Sequence, residues 1–127
     1  MPFKILIVDD AHFMRTMIRE IFTTSEFIVA GEAENGLEGV RLYKKSRPDL
    51  TTMDVVMPQM DGITALKEIL QFDPKAKVIM VSALGQEALI AEAINIGAKD
   101  FIVKPFQRTR VLNVARYVLG LDAKLEV

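Results

Sequence analysis

Asp9, Asp10, Asp54, Ser82 and Lys104 each stand where a short apolar run stops, and as a set they are the groups that a divalent cation and a phosphoryl oxygen require. The runs are KILIV before Asp9-Asp10, LTTM before Asp54, KVIMV before Ser82 and FIV before Lys104. Two carboxylates ~5 Å apart repel by on the order of 3 kcal/mol at an effective dielectric of about 20, so such a cluster either raises its pKa values or holds a cation. Oxygen-only ligands in a solvent-facing crevice favour Mg2+ over zinc or copper, and Mg2+ takes one or two carboxylates, waters and a phosphate oxygen. The Lys104 ammonium and the Ser82 hydroxyl suit phosphoryl oxygens that the metal does not reach. A metal-binding carboxylate can also be the nucleophile, which gives an aspartyl phosphate.

Residues so far apart in the chain meet only if the runs are parallel strands of one sheet. In an open parallel sheet, ligands bind outside the carboxyl ends of the strands, near the point where strand order reverses. Strand one, about Lys4 to Val8, is continuous and branched, as expected for a strand covered on both faces. Helix one carries Phe13, Met17, Ile18 and Ile21 on its inner stripe. Strand two lies near Phe27 to Glu32, and after Asn35-Gly36 a second helix carries Leu37, Val40, Leu42 and Tyr43. Arg47-Pro48 ends that helix, since a residue before proline avoids the helical region. Strand three is Leu50 to Met53; a loop from Val55 to Gly62 leads to a helix with Ile63, Leu66, Ile69 and Leu70, broken at Asp73-Pro74. Strand four is Val78 to Val81, and helix four runs from Glu87 to Ile96 with Leu89, Ile90, Ala93 and Ile94 inward and Gly97 as its cap. Strand five is Phe101 to Val103, and Val111, Leu112, Ala115 and Val118 mark the last helix. This alternation predicts an α/β, flavodoxin-like, doubly wound (βα)5 domain with a five-stranded parallel sheet in the order 2-1-3-4-5. Strands one and three then lie side by side, and Asp9, Asp10 and Asp54 share one pocket.

Bulk composition allows this and excludes several other classes. At 127 residues the chain suits a single domain over 1–127, and 50% hydrophobic with 26% charged residues is the profile of a soluble globular protein. A formal net charge of -1 provides no field for nucleic acid or an anionic membrane. There is no cysteine, hence no disulfide framework and no thiolate metal site, which fits a reducing compartment. The amino terminus meets Asp9-Asp10 before a signal-peptide core is complete, and no apolar stretch approaches the ~20 residues that span a bilayer. A cytoplasmic location is expected. The tail GLDAKLEV holds no recognisable linker or DNA-binding helix, so no separate output domain is expected either.

With these residues in place, KILIVDD, TTMDVVMPQMDG, MVSA and DFIVKPF resemble response-regulator receiver domains over about Phe3 to Leu119, and among them the single-domain chemotaxis type. Receivers of that type are themselves a standard example of the 2-1-3-4-5 order, so the topology is not independent of the resemblance. The resemblance implies a two-component phosphorelay protein, not an enzyme acting on a separate substrate, in which Asp54 accepts a phosphoryl group from a phosphohistidine of a sensor histidine kinase. It implies Mg2+ on Asp10 and Asp54, with the Val56 backbone carbonyl as a ligand and Asp9 acting through water. Ser82, Ala83 and Lys104 would contact the phosphoryl group, Lys104-Pro105 would be cis, and Phe101 would turn inward when Ser82 moves. Ile90, Phe101 and Val103 would then form a partner surface on helix four, strand five and helix five, for a flagellar motor switch protein or a phosphatase. A phosphorelay carrier or the receiver part of a longer regulator would use the same site.

Other features bear on this reading. Phe101 stands where a tyrosine is frequent, and Ser82 replaces the commoner threonine while keeping a donor. The resemblance places Val56 and Leu84 beside the phosphoryl position, and both are apolar, so no side chain there would orient an attacking water and an acyl phosphate on the slower side of the family's range is expected. An aspartyl-phosphate phosphohydrolase would share the nucleophile, hydroxyl and lysine, but would carry a second aspartate two residues after the nucleophile, where this chain has Val56. Simpler roles are available to single residues: Asp9-Asp10 as a helix cap, Lys104 as a solvated amine, Ser82 as a local backbone partner, Ile90 as core. His12, the only histidine, is expected to be an exposed rim residue one turn into helix one, and Met57 and Met60 are expected to be filler or an adaptable contact surface.

Overall fold

Aliphatic residues that alternate between two apolar faces build the sheet. The computed structural model describes residues 2–121. Along the chain run β1 (Phe3–Val8), α1 (His12–Ile21), β2 (Phe27–Ala33), α2 (Gly36–Ser46), β3 (Leu50–Asp54), α3 (Gly62–Phe72), β4 (Val78–Ser82), α4 (Glu87–Ile96), β5 (Asp100–Val103) and α5 (Arg108–Val118). The strands lie in the order β2-β1-β3-β4-β5 and every pair is parallel. Leu6, Val8, Met53, Val78 and Met80 face one core, completed by residues of α2, α3 and α4. Ile5, Ile7, Leu50, Ile79 and Ile102 face the other, closed by Ile18 and Ile21 of α1 and by Val111, Val114 and Ala115 of α5. Burial on both faces is why β1 from Ile5 on and β4 up to Val81 read as unbroken apolar runs, while β3 also buries Thr51 and Thr52 and the edge strand β2 is only partly covered.

Side-chain caps fix where α2 and α3 start. Asn35 caps α2 by accepting the Glu38 N–H at 2.8 Å, and Asp61 caps α3 by accepting the Thr64 N–H at 2.8 Å. Gly97 ends α4 at φ 140, as expected of a glycine cap. Arg47 ends α2, yet it does so in the left-handed region (φ 49, ψ 61) rather than extended, with its N–H on the Tyr43 carbonyl at 2.8 Å.

Two inward assignments from helical spacing are corrected: Phe13 is 70% exposed and Ile94 41%. Leu37, one of the residues that mark α2, is 57% exposed. Phe13 and Leu37 lie in the first turns of α1 and α2, at the sheet's carboxyl edge, where the strands end beneath them. On α4 the core takes Ile90 and Ala93, with Leu89 and Ile96 partly buried, and Ile94 falls off that narrow stripe. Conversely, Met14 packs on the second core and Val114 is wholly buried; neither was on the expected stripes. The tail expectation lies, from residue 122 on, outside the described residues. Among the described residues no helix is long and apolar enough to cross a membrane.

Candidate phosphoryl and metal site

The register of the central strands brings the first two acidic positions level. Val8 on β1 faces Met53 on β3, so the residues that follow, Asp9 just past β1 and Asp54 as the last residue of β3, stand side by side at the point where strand order reverses. Asp9 is 1% exposed and Asp54 6%, whereas Asp10 is exposed. A carboxylate oxygen from each of the three lies within 4.8 Å of the other two. Lys104, one residue beyond β5, reaches across with Nζ 3.3 Å from Asp9 Oδ2 and 3.5 Å from Asp54 Oδ1. The peptide bond that follows it, Lys104–Pro105, is cis.

The electrostatics match this crowding. Burial, and next the neighbouring Asp9 carboxylate, push the Asp54 carboxyl up to about 6; the Lys104 ammonium opposes the rise and Asp10 adds to it. Among the described residues Asp9 Oδ2 has no hydrogen-bond partner, so the Lys104 ammonium meets it as a charge. One ammonium shared by two buried carboxylates, with a third acid beside them, leaves oxygen ligands in need of a cation. The donor set therefore fits a hard divalent ion such as Mg2+. Capping does not account for Asp9 and Asp10: the cap residue of α1 is Ala11, without a side-chain bond, while Asp9 Oδ1 accepts the Ala11 N–H at 2.9 Å.

Ser82 ends β4 with 1% exposure and pairs with Val103, and its carbonyl accepts the Lys104 N–H at 2.7 Å. The next N–H, of Ala83, donates to Gln86 Oε1 at 2.8 Å. Val56, two residues past Asp54, has an exposed side chain, as does Leu84. Phe101 is half-buried against the first core and, with Ser82, Ile90, Ile94 and Val103, lines a cavity of about 510 Å³. Ile90 is only 8% exposed and belongs to that core as well as to the cavity floor. His12 is exposed, opens α1 rather than sitting a turn inside it, and is not among the clustered acids. Met57 is buried in the first core and Met60 packs partly against it.

Several contributors were not anticipated. Gly62 places α3 against the Asp54 backbone, since a Cβ there would stand 2.0 Å from the Asp54 carbonyl oxygen. Its visible signal was the Asp61-Gly62 pair at the helix start. Arg15 of α1 holds the Asp9 carbonyl and is itself held by Glu32 of β2, and Gln86 holds the Ala83 amide; nothing local in the chain marks these contacts.

The profile of the response regulator receiver domain matches residues 5–116, and the chain belongs to this family. It is a two-component response regulator by that membership. It is 57% identical over 120 residues to chemotaxis protein CheY of Bacillus subtilis, covering 94% of this chain and 100% of that protein. It is also 56% identical over 117 residues to protein CcdB of the same organism, covering 92% and 98% respectively. Among solved structures, it matches a chain of the CheX-CheY-BeF3-Mg+2 complex from Borrelia burgdorferi with a TM-score of 0.88 and 45% identity, over 93% of this chain and 90% of that one.

Proposed function

We propose that Asp54 takes a phosphoryl group from a phosphohistidine of a sensor histidine kinase, and that the phosphorylated domain signals in chemotaxis through the α4–β5–α5 face. The carrying observation is the Lys104 ammonium at 3.3 and 3.5 Å from two buried carboxylates of a three-acid cluster. In the transfer, an Asp54 carboxylate oxygen bonds to phosphorus as the phosphorus–nitrogen bond breaks, and the imidazole leaves with that electron pair. Lys104 holds its countercharge beside the nucleophile, so the added negative charge meets a positioned ammonium rather than water. Asp9, Asp10, Asp54 and the Val56 carbonyl would hold Mg2+, which when bound offsets carboxylate and phosphoryl charge.

Ser82 and the Ala83 N–H then answer to the phosphoryl oxygens. For Ala83 this means giving up the Gln86 side chain, which ties the phosphoryl loop to the first residue before α4. A Ser82 that moves toward the phosphate opens the cavity it shares with Phe101, and the ring's inward turn changes the surface around Ile90 and Val103. The domain, read as one receiver over 1–127, is thus a switch that modifies only itself, working in the cytoplasm.

Capture of partners with and without beryllofluoride, an acyl-phosphate mimic, tests the assignment. Enrichment of a flagellar motor switch protein or a chemotaxis phosphatase supports it, and enrichment of a second histidine phosphotransferase would transfer the protein to a relay. Lifetime gives a separate check. Because Val56 and Leu84 offer no group to orient water, the double variant Val56→Asn, Leu84→Glu is expected to lose its phosphate several-fold faster than wild type, read from the decay of radiolabelled protein. Equal or slower decay in the variant sinks this account of the loop.

A further inference from the structure

Asp9 is fixed from four directions, and one of them comes from a residue that phosphoryl transfer does not itself need. Its N–H donates to the Ala33 carbonyl at 3.0 Å, its Oδ1 accepts from Ala11 at 2.9 Å, and its Oδ2 faces Lys104 at 3.3 Å. Its carbonyl accepts a hydrogen bond from Arg15 Nη1 at 2.7 Å. The Arg15 side chain is only 11% exposed, and its Nε stands 3.3 Å from Glu32 Oε1. Glu32 is held in turn through Oε2 by Arg19 Nε at 2.5 Å. A chain of contacts therefore runs from α1 to β2 and back to the turn that carries Asp9 and Asp10.

The chemistry of this chain separates geometry from charge. A guanidinium taken out of water needs acceptors in its plane, and its rigid fork fixes their direction. Arg15 spends one arm on a backbone carbonyl rather than on a carboxylate of the site, while Glu32 offsets its charge. Its effect on the acids is thus orientation. We infer that Arg15 is a positioning residue for the metal site: by pinning the Asp9 carbonyl to α1, with Glu32 as its brace, it sets where the Asp9 and Asp10 carboxylates point. This rests on the Mg2+ reading given above.

Calorimetric titration of Mg2+ into wild type, Arg15→Ala, Arg15→Lys and Glu32→Gln tests it, alongside melting temperatures in EDTA and amide NMR spectra of the metal-free proteins. Arg15→Ala is expected to weaken Mg2+ binding by about 10- to 100-fold, the usual effect of removing an outer-sphere partner. Arg15→Lys, which keeps one donor for the carbonyl, recovers part of that loss, and Glu32→Gln loses less than Arg15→Ala. A purely structural role would lower the melting temperature of all three without this order of affinities. Wild-type affinity in a folded Arg15→Ala protein overturns the proposal; if that variant does not fold, wild-type affinity in both Arg15→Lys and Glu32→Gln does so. Absence of Mg2+ binding in wild type would instead remove the metal reading. Orientation is then judged from the metal-free spectra alone, where unmoved Asp9 and Asp10 amides in the variants overturn it.

Discussion

Asparagine at position 54 is expected to abolish phosphoryl acceptance and, in the same protein, to raise the melting temperature of the metal-free form by about 5 °C at neutral pH. Both effects come from one carboxylate. Its folded-state value of about 6 lies above the ordinary 3.8, first because it is buried and next because Asp9 stands beside it. A carboxyl raised on folding binds its proton more tightly in the folded state than in the unfolded one, so the folded form is favoured at low pH. That advantage fades as pH rises from about 4 through about 6, and above this the ionised group is a standing cost. A difference of about two units corresponds to at most about 3 kcal/mol, and water reaching the cleft beside exposed Asp10 leaves about 1 to 2 kcal/mol. Removing the charge recovers this, at a few degrees per kcal/mol for a domain of this length.

Melting in EDTA across pH 4 to about 8 reads the effect directly, as a gap between Asp54→Asn and wild type that opens through the titration of Asp54. Mg2+ should narrow the gap, because it stabilises wild type by binding only the folded form. An asparagine variant that melts at or below wild type in EDTA at neutral pH would show that the acid cluster is not under charge stress. Retained label after treatment with a small acyl phosphate would remove Asp54 as the acceptor.

Strand ends are legible in this chain because a two-sided parallel strand excludes charge and is nearly all apolar, with only the buried Thr51 and Thr52 hydroxyls of β3 inside a run, so the charged or hydroxyl residue that closes the run marks its end. Asp9, Asp54, Ser82 and Lys104 were visible for that reason, and the strand order followed from alternation and the resemblance. Helical spacing was less informative at the rims. It identifies the stripe on α1 that Ile18 and Ile21 occupy, but it cannot say that the sheet stops short of Phe13, or of Leu37 on α2. Nor can spacing show a contact such as Arg15 on the Asp9 carbonyl and Glu32, which joins a helix, a turn and a strand. The burial of Asp54 and the reach of Lys104 across β4 belong to the same class of fact: residue types were given by the chain, and their charge balance only by the packing.

Gly62 shows how closely the site and the fold depend on one another. Substituting alanine there is expected to cost about 3 kcal/mol or more, lowering the melting temperature by about 10 °C. The reason is space rather than backbone conformation, because the added Cβ would lie 2.0 Å from the Asp54 carbonyl oxygen and 3.0 Å from the Val55 Cα. Those are backbone atoms of the central strand and of the loop leaving it, so no side chain can swing away to relieve the contact. The Gly62 N–H also donates to the Val55 carbonyl at 2.8 Å, and Asp61 caps the helix from the preceding position. Relief therefore requires α3 to retreat from β3, and with it Ile63, Leu66 and Ile69 from the first core. Gly31→Ala is the matched control: its Cβ would meet only the Leu6 and Leu42 side chains, at 3.6 and 3.7 Å, and should leave melting nearly unchanged. A Gly62→Ala protein as stable as the Gly31→Ala protein would mean that α3 is not seated on the Asp54 backbone. If the loss is as expected, the folded fraction should also accept a phosphoryl group poorly, since the strand end that must shift to admit the methyl group is the one that carries Asp54, the proposed acceptor.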